Sequence, residues 1–269
     1  MPKFFSLIIL FILGSLNTLQ AQFGFSHEVG VIAGPVAFQS DYGIRHDFET
    51  NAGNTGFGIG IVHYLNFSYR ADCNCYTPET YFNDHFKVRT ELSYSKTKLN
   101  HFGELVTPEK LAVSEYARML KAMHGSTSVT DIGMQLEFYP LSVRDFTATT
   151  GSFAPFASFG GHFSFFNPKV ESDLGKLGDP LTTYPKYLVP SDGKKYGFSN
   201  DGGSTFSIVS SVGTRYKLTP LSDLMLDLRF QYYFSDWVDG LNPNKQQFKE
   251  NKANDWNVWL NFGYIYYLD

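Results

Sequence analysis

A histidine and a serine are the residues in this sequence whose types and spacing come nearest to hydrolytic chemistry. His162 and Ser164 lie two residues apart, so on an extended strand both side chains point to the same face. This spacing is not diagnostic of catalysis, and isolated His and Ser residues on a face of small side chains are usually structural. The nucleophile elbow Gly-x-Ser-x-Gly is absent, and the glycines from Gly56 to Gly60 lie inside a strand pattern rather than before a helix. We therefore predict no enzyme, no catalytic residues and no cofactor.

A second group of polar residues suits a cation. Asp236, Asp239, Asn242 and Asn244 place oxygen ligands close together in one loop, a composition compatible with calcium. The spacing of an EF-hand loop is absent, so a solvated loop of turn residues is the simpler interpretation. We predict no metal site.

Two cysteines lie one residue apart, at Cys73 and Cys75. In an exported protein they could form a disulfide, although the ring closed by Cys-Asn-Cys would be small and strained. A metal site would need more ligands, and only Asp72 and His85 are near. The sequence favours a local disulfide or two unused thiols.

The N-terminus has the features of a secretory signal peptide. Lys3 precedes an apolar run over residues 4–13, and small and polar residues lead to cleavage after Ala21. The run is shorter than the roughly 20 residues of a spanning helix, so an uncleaved anchor is the less favoured alternative. We predict a signal peptide over 1–21 and one exported domain over 22–269. The net charge of −4 gives no indication of nucleic-acid binding.

The fold is predicted by alternation of apolar and polar residues with a period of two. In the last segment Leu260, Phe262 and Tyr264 share one face, with Asn257 and Asn261 on the other. Eight such segments occur, most of them reaching the roughly 9–11 residues that a tilted membrane strand needs. They predict an all-β protein: a closed antiparallel transmembrane barrel of about eight strands with long external loops.

The charges in these segments fall on the face opposite the continuous aromatic and aliphatic one. A charge facing lipid costs roughly 2–4 kcal/mol at the midplane, so the charged face is expected to line the lumen. Eight strands enclose a space just filled by side chains, which predicts ion pairs and no open pore; a proton or solute relay is the alternative. The predicted lumen network is Lys87, Arg89, Glu91, Asp131, Glu137, Arg215, Asp227 and Arg229.

Aromatic residues near strand ends predict two girdles at the membrane interfaces, with core packing in a soluble barrel as the alternative. The girdle residues are Tyr139, Phe165, Phe166, Tyr232, Tyr233, Trp237, Trp256, Tyr266 and Tyr267.

Connection lengths predict the orientation, because external loops are long and periplasmic turns are short. Both mature termini are then periplasmic, with Asn167-Pro168 marking the exit from the fifth strand. External loops are expected at 39–54, 98–126, 167–203 and 236–254, and turns at 66–84, 140–151 and 218–223; the turn at 66–84, which holds the cysteines, is the exception to this rule of length. The second external loop should contain a short helix that begins after Thr107 and ends near Gly125.

Several stretches resemble small PorG-like outer-membrane barrels of Bacteroidota. They are Phe153-Ala-Pro-Phe with Phe165-Phe-Asn-Pro-Lys169, then Gly213-Thr-Arg-Tyr-Lys-Leu, then Asp227-Leu-Arg-Phe with Trp237-Val-Asp-Gly240; the stretch from His27 to Gly34 fits more loosely. The resemblance covers most of the mature chain and is specific mainly in its second half. It implies an outer-membrane barrel associated, in the better-known members, with the type 9 secretion machinery, and it supplies no catalytic residues.

Four functional hypotheses remain open at this stage. The first is a structural or accessory barrel that contacts membrane lipid and other envelope or secretion proteins. The second is a surface barrel for adhesion or ligand binding through its long loops. The third is a soluble lipocalin-like carrier, which would need apolar residues inside and polar ones outside. The fourth is an outer-membrane enzyme that uses His162.

Overall fold

A computed structural model describes residues 25–44, 48–67, 81–251 and 253–268. The predicted signal peptide over 1–21 lies outside the described residues, and so do Cys73 and Cys75. The signal peptide and the disulfide therefore stay predictions.

Eight antiparallel strands form a closed barrel in which each strand pairs with its neighbours in sequence and β8 pairs back with β1. This confirms the predicted fold class. The strands are β1 (Ser26–Gln39), β2 (Thr55–Asn66), β3 (Phe86–Asn100), β4 (Met123–Phe138), β5 (Phe153–Ser172), β6 (Gly203–Thr219), β7 (Ser222–Tyr233) and β8 (Trp256–Tyr267).

Alternation along the strands sorts the side chains between lumen and exterior. On β8, for example, Asn257 and Asn261 are buried in the lumen, whereas Phe262 and Tyr264 are exposed on the outer wall. Closure leaves no strand edge, so the backbone groups of neighbouring strands pair with each other around the whole ring. The polar faces therefore meet inside and the apolar faces cover the outside.

Three strands, β3, β4 and β5, run further than predicted at the end away from the termini. β5 does not end at Asn167-Pro168, as predicted, but continues to Ser172, and β4 pairs with it from Met123 onward. Pro168 is tolerated because of the direction in which its backbone nitrogen points. Val170 lies two residues further along the strand, so both backbone nitrogens point to the same side, away from β4. The N–H of Val170 donates on that side to Asn200. On that side β6 has already ended, so the missing donor of Pro168 breaks no ladder bond.

The four connections at one end of the barrel are long, and those at the other end are shorter, with the exception of the β2–β3 connection over 67–85. We name the long ones L1 (40–54), L2 (101–122), L3 (173–202) and L4 (234–255). Opposite them lie the ends of β1 and β8, the tight turn between β6 and β7, and the connection that contains a short helix before β5. The long loops therefore share the end opposite the described termini.

The helix predicted in L2 is present as two short helices with Ser114 between them. Ser114 has extended backbone angles, and its hydroxyl accepts a hydrogen bond from the N–H of Ala117, so it caps the second helix instead of continuing the first. Gly125, the predicted end of the helix, lies inside β4. The helices are α1 (Phe48–Gly53), α2 (Tyr81–His85), α3 (Pro108–Val113), α4 (Glu115–Ala122) and α5 (Val143–Ala148), with 3₁₀ turns at Gly103–Val106 and Pro185–Leu188. None of the helices in the described ranges is both long and apolar enough to cross a membrane.

The seam between β1 and β8 depends on a glycine, which gives a test of the barrel's closure. A Cβ at Gly34 would lie 1.9 Å from the carbonyl oxygen of Leu260, whereas one at Gly161 would meet only the carbonyl oxygen of Ser207 at 3.6 Å. We expect Gly34→Ala to lower the free energy of unfolding by roughly 1–3 kcal/mol, the usual range for overpacking. Thermal unfolding in detergent is the measurement, with Gly161→Ala as the matched control. Equal stability of the two variants would contradict this seam.

Candidate functional site: the charged lumen and its cap

The lumen is lined by charged side chains that come from five of the eight strands. All are at most 4% exposed. The cations are Lys87, Arg89, Arg215, Lys217 and Arg229, and the acids are Glu28, Glu91, Asp131, Glu137, Asp223 and Asp227. The structure places all eight predicted lumen charges here, and it adds Glu28, Lys217 and Asp223.

The middle of the lumen is crossed by an arginine–carboxylate pair. Both Nη atoms of Arg229 on β7 lie 2.6 Å from the two carboxylate oxygens of Glu91 on β3, which lies across the barrel. Arg89 donates to the same Glu91 carboxylate at 2.8 Å and to Asp227 at 3.1 Å. The bidentate bond between Arg229 and Glu91 connects opposite walls of the barrel, since a guanidinium holds a carboxylate in a fixed orientation.

A second group of charges fills the lumen nearer the termini. Glu28 lies 2.6 Å from Lys87 through one oxygen and 2.6 Å from Arg215 through the other. Arg215 also contacts Glu137 at 3.4 Å, and Arg89 reaches Glu137 at 3.5 Å. Glu137 therefore connects this group to the one at mid-lumen.

Three lumen charges were not predicted, although the sequence contains a pattern that could have placed each of them in the lumen. Glu28 lies on the polar face of the first strand, whose alternation is the weakest. Asp223 was assigned to the predicted turn 218–223 and Lys217 immediately precedes that turn, but both lie in paired strands and their charged groups are 3.2 Å apart. Tyr267 closes this end, because its hydroxyl donates to Asp223 at 2.8 Å and its ring lies 3.6 Å from the Lys217 ammonium.

Asp131 is in the lumen but differs from the other predicted charges. Within the described chain it makes no ion pair; its partners are neutral donors. Ser164 donates to its Oδ1, and Gln231 Nε2 donates to the same oxygen at 2.8 Å. Gln231 also donates to Ser207 at 2.9 Å, which extends a neutral polar layer towards the loops.

The histidine–serine pair is not assembled for nucleophilic catalysis in this structure. Ser164 donates to Asp131 rather than to a histidine, and the His162 Nε2 atom lies 3.3 Å from the side-chain amide nitrogen of Gln135. The imidazole is 1% exposed, and no serine hydroxyl among the described residues is hydrogen-bonded to it. The arrangement is that of a packed polar layer.

The predicted aromatic girdle holds only in part. Phe165, Tyr232 and Tyr266 are exposed on the outer wall, but their sequence neighbours Phe166, Tyr233 and Tyr267 turn inward, because adjacent strand residues face opposite sides. Two further girdle assignments also fail. Tyr139 is 1% exposed and donates to Glu137 at 2.6 Å. Trp237 lies in L4, where its Nε1 donates to Asp192 at 3.2 Å, while Trp256 begins β8 and is half-buried.

The four long loops pack together over the lumen, and we call this assembly the cap. Loop contacts include the Gly43 N–H to His101 Nδ1 at 2.9 Å, the Tyr187 hydroxyl to the Asp41 carbonyl at 3.2 Å, and the Asn242 N–H to the Gly197 carbonyl at 2.9 Å. Burial lowers the pKa of His101 to about 3, so this imidazole is neutral at physiological pH. The apolar core of the cap, which also includes residues from the loop ends of the strands, consists of Phe38, Tyr42, Leu99, Val106, Leu120, Met123, Val129, Phe166, Val170, Tyr187, Tyr233, Val238 and Leu241.

Asp239 joins L1 to L4 inside the cap. Its carboxylate accepts the N–H of Asp41 at 2.8 Å and that of Leu241 at 2.7 Å. Burial and the nearby Asp41 carboxylate raise the pKa of Asp239 well above its usual range.

The oxygen-bearing side chains of L4 that were considered as calcium ligands do not converge on one point. Asp239 binds backbone N–H groups, whereas Asp236 accepts from Asn251 at 3.0 Å and Asn244 donates to the Pro190 carbonyl at 2.7 Å. In the described ranges, no three His, Cys, Asp or Glu residues are grouped so as to hold a metal ion.

An open groove lies on the side of the cap between L3 and the extended tips of β4 and β5. It encloses about 640 Å³. Val170, Leu177 and Phe198 supply its apolar walls, and its polar groups include His124 and Asp173, whose Nε2 and Oδ1 atoms lie 3.2 Å apart.

The cross-lumen pair predicts a large effect of removing one partner. Arg229→Met leaves the buried Glu91 with Arg89 alone, and breaking a buried pair in this way costs roughly 3–5 kcal/mol. We expect thermal unfolding in detergent to occur at a clearly lower temperature. Glu91→Gln combined with Arg229→Met should recover part of the loss, and the exposed Arg118→Met should change nothing. An Arg229→Met variant as stable as Arg118→Met would contradict the assigned pair.

Comparison with known proteins finds likeness in fold only. No family model matches the sequence, and no curated protein matches it. Among solved structures it is similar to Neisserial surface protein A (12% identity, 89% of this chain and 96% of that chain, TM-score 0.41) and to the outer membrane protein OprG from Pseudomonas aeruginosa (14%, 90% and 97%, 0.41). It is also similar to a major outer membrane protein from Thermus thermophilus (14%, 91% and 100%, 0.43).

Proposed function

We propose that this chain is an outer-membrane β-barrel without a conducting pore, which holds a rigid loop cap at the cell surface as a structural or accessory part of an envelope complex. The observation that carries the proposal is the distribution of polarity: the wall is apolar outside and charged inside. Ile61, Phe159 and Phe206 are each more than 60% exposed on the outer wall, whereas Arg89 and Arg229 are 0% exposed in the lumen. Such a wall is stable in lipid and costly in water.

The strand lengths support membrane insertion. The shortest strands have 12 residues and the longest, β5, has 20. A tilted strand crosses the bilayer with roughly 9–11 residues, so β5 extends well past the membrane into the cap. The orientation proposed from the loop lengths puts the loops outside the cell and the termini in the periplasm.

Two features argue against transport. Paired charges fill the lumen across its middle, and the cap core lies over its mouth. An ion entering the lumen would have to displace a salt bridge between opposite walls. This supports a non-conducting barrel, whose interactions are made by the cap and the outer wall.

The lipocalin alternative has less support, because a carrier of apolar ligands needs an apolar cavity, and this lumen is charged and filled. The link to type 9 secretion rests on the resemblance of the sequence to PorG-like barrels. The alternative of adhesion or ligand binding keeps one specific observation in its favour, the groove that includes Leu177, Phe198 and Asp173. Its volume lies within the range of about 300–1,000 Å³ that is usual for small-molecule sites.

Reconstitution tests the barrel and the filled lumen together. We expect the purified protein to insert into lipid vesicles and to resist alkaline extraction, because its outer wall is apolar. Planar-bilayer recordings should show no steps of conductance, since the lumen is blocked. Stable monodisperse protein in buffer without detergent would contradict the membrane assignment, and regular channel openings would contradict the filled lumen.

The accessory role is tested in native membranes. A native gel of gently solubilised outer membranes should show the chain in a discrete assembly larger than the barrel alone, and cross-linking should map contacts to cap residues such as Val113 and Tyr116, which are 83% and 59% exposed. A barrel that migrates only as a monomer would contradict the accessory role. Loss of ligand binding on Phe198→Ser in that monomer would then favour the adhesion alternative.

A further inference from the structure

Among the described strands, charge on the outer wall is confined to one place. The four outward-facing Asp, Glu, Lys or Arg residues are Lys96, Lys98, Lys169 and Glu171, and every other charged strand residue faces the lumen. All four lie at the loop end of β3 and β5. Three lysines therefore lie together at the loop end of an outer wall whose other described strand positions carry no charge.

The register of β3, β4 and β5 places the three lysines on either side of small side chains of β4. Lys98 on β3 lies opposite Ser126 on β4, and Ser126 lies opposite Lys169 on β5. Neighbouring strands are about 4.8 Å apart, which separates the backbones of Lys98 and Lys169 by about 10 Å. Lys96 lies about 7 Å below Lys98 on the same strand, opposite Ser128. Small hydroxyl side chains therefore occupy the space between the ammonium groups.

The lysines lie directly above the apolar band of the same wall. Tyr94 lies two residues before Lys96 on the same face of β3. It is opposite Thr130 on β4, and Thr130 is opposite Phe165 on β5. Tyr94 is 46% exposed and Phe165 is 52% exposed. An amphiphile whose chains lie along Tyr94, Phe165 and Ile132 would have its headgroup at the height of the lysines.

These cations lack the compensation that every lumen cation has. In the described part of the chain, none of Lys96, Lys98 and Lys169 forms an ion pair, although Glu171 is only two residues from Lys169 on the same face. All three are exposed. An unpaired, strongly hydrated ammonium group suits a phosphate oxygen, and three of them suit a ligand with concentrated negative charge.

We propose that Lys96, Lys98 and Lys169 form a binding site for the phosphate-bearing headgroup of an anionic membrane lipid in the leaflet on the loop side. This inference rests on the proposed insertion of the barrel in a membrane. A lipid is favoured over a protein partner because the cationic face continues without interruption into the apolar wall. The site also anchors the cap side of the barrel at the interface, where lysines are commonly found.

Native mass spectrometry of the detergent-solubilised protein tests the site, with phosphatidylglycerol, phosphatidylcholine of the same acyl chains and inorganic phosphate as probes. We expect the wild type to bind phosphatidylglycerol at least about tenfold more tightly than phosphatidylcholine. The triple variant Lys96→Gln, Lys98→Gln, Lys169→Gln should lose that preference. A control variant with Lys176→Gln, Lys195→Gln and Lys249→Gln removes the same charge from exposed loop positions and should keep the preference.

Three outcomes would overturn the lipid site. They are equal binding of both lipids by the wild type, a preference that survives in the triple variant, and displacement of the lipid by equimolar inorganic phosphate, which would assign the lysines to a free anion. Insertion into phosphatidylcholine vesicles is measured on the same samples. A wild type that inserts without the preference contradicts only the lipid site, whereas a wild type that does not insert contradicts the proposed function.

Discussion

Neutralisation of charge inside the lumen is the constraint on which the rest of this structure depends. A barrel with an apolar outer wall must place its polar strand residues inward, where no bulk water is available to solvate them. The cross-lumen pair of Arg229 and Glu91, reinforced by Arg89, satisfies this requirement at the middle of the barrel. Glu28 does the same nearer the termini by taking one cation on each oxygen. Because these pairs cross the lumen, the requirement that makes the barrel stable also supports the proposal of a barrel without a channel.

The position of the functional surfaces follows from that filled lumen. In the proposed non-conducting barrel, the surfaces available to other molecules are the loops and the outer wall. The loops are not independent, because Asp239 holds L1 and L4 together and the Tyr187 hydroxyl joins L3 to L1. The cap is therefore presented as one packed unit on a rigid barrel, which suits a docking or scaffolding role. The proposed lipid site at the loop ends of β3 and β5 is a second such surface, on the outer wall at the height of the membrane interface.

Alternation was sufficient to predict the closed barrel, the number of strands and the inward position of all eight charges, because each strand carries the pattern over many residues. It could not predict partners. Asp131 was expected in the ion network, but it is satisfied by Ser164 and Gln231, and only the register of β4, β5 and β7 reveals this. Tandem aromatic pairs such as Tyr232 and Tyr233 were assigned together to the girdle, although one of each pair must face inward. The strand ends near Asp223 and Pro168 were misjudged because turn-forming composition does not show whether a neighbouring strand is still present to pair.

The central claim, that this apolar wall faces lipid, is tested most directly by the accessibility of spin labels in reconstituted vesicles. Single labels at Ile61, Phe159 and Val212, in a background with Cys73 and Cys75 replaced by serine, would report collisions with oxygen, which concentrates in lipid, and with a water-soluble nickel complex. We expect high oxygen and low nickel accessibility at all three positions. Preferential collision with the nickel complex would contradict it.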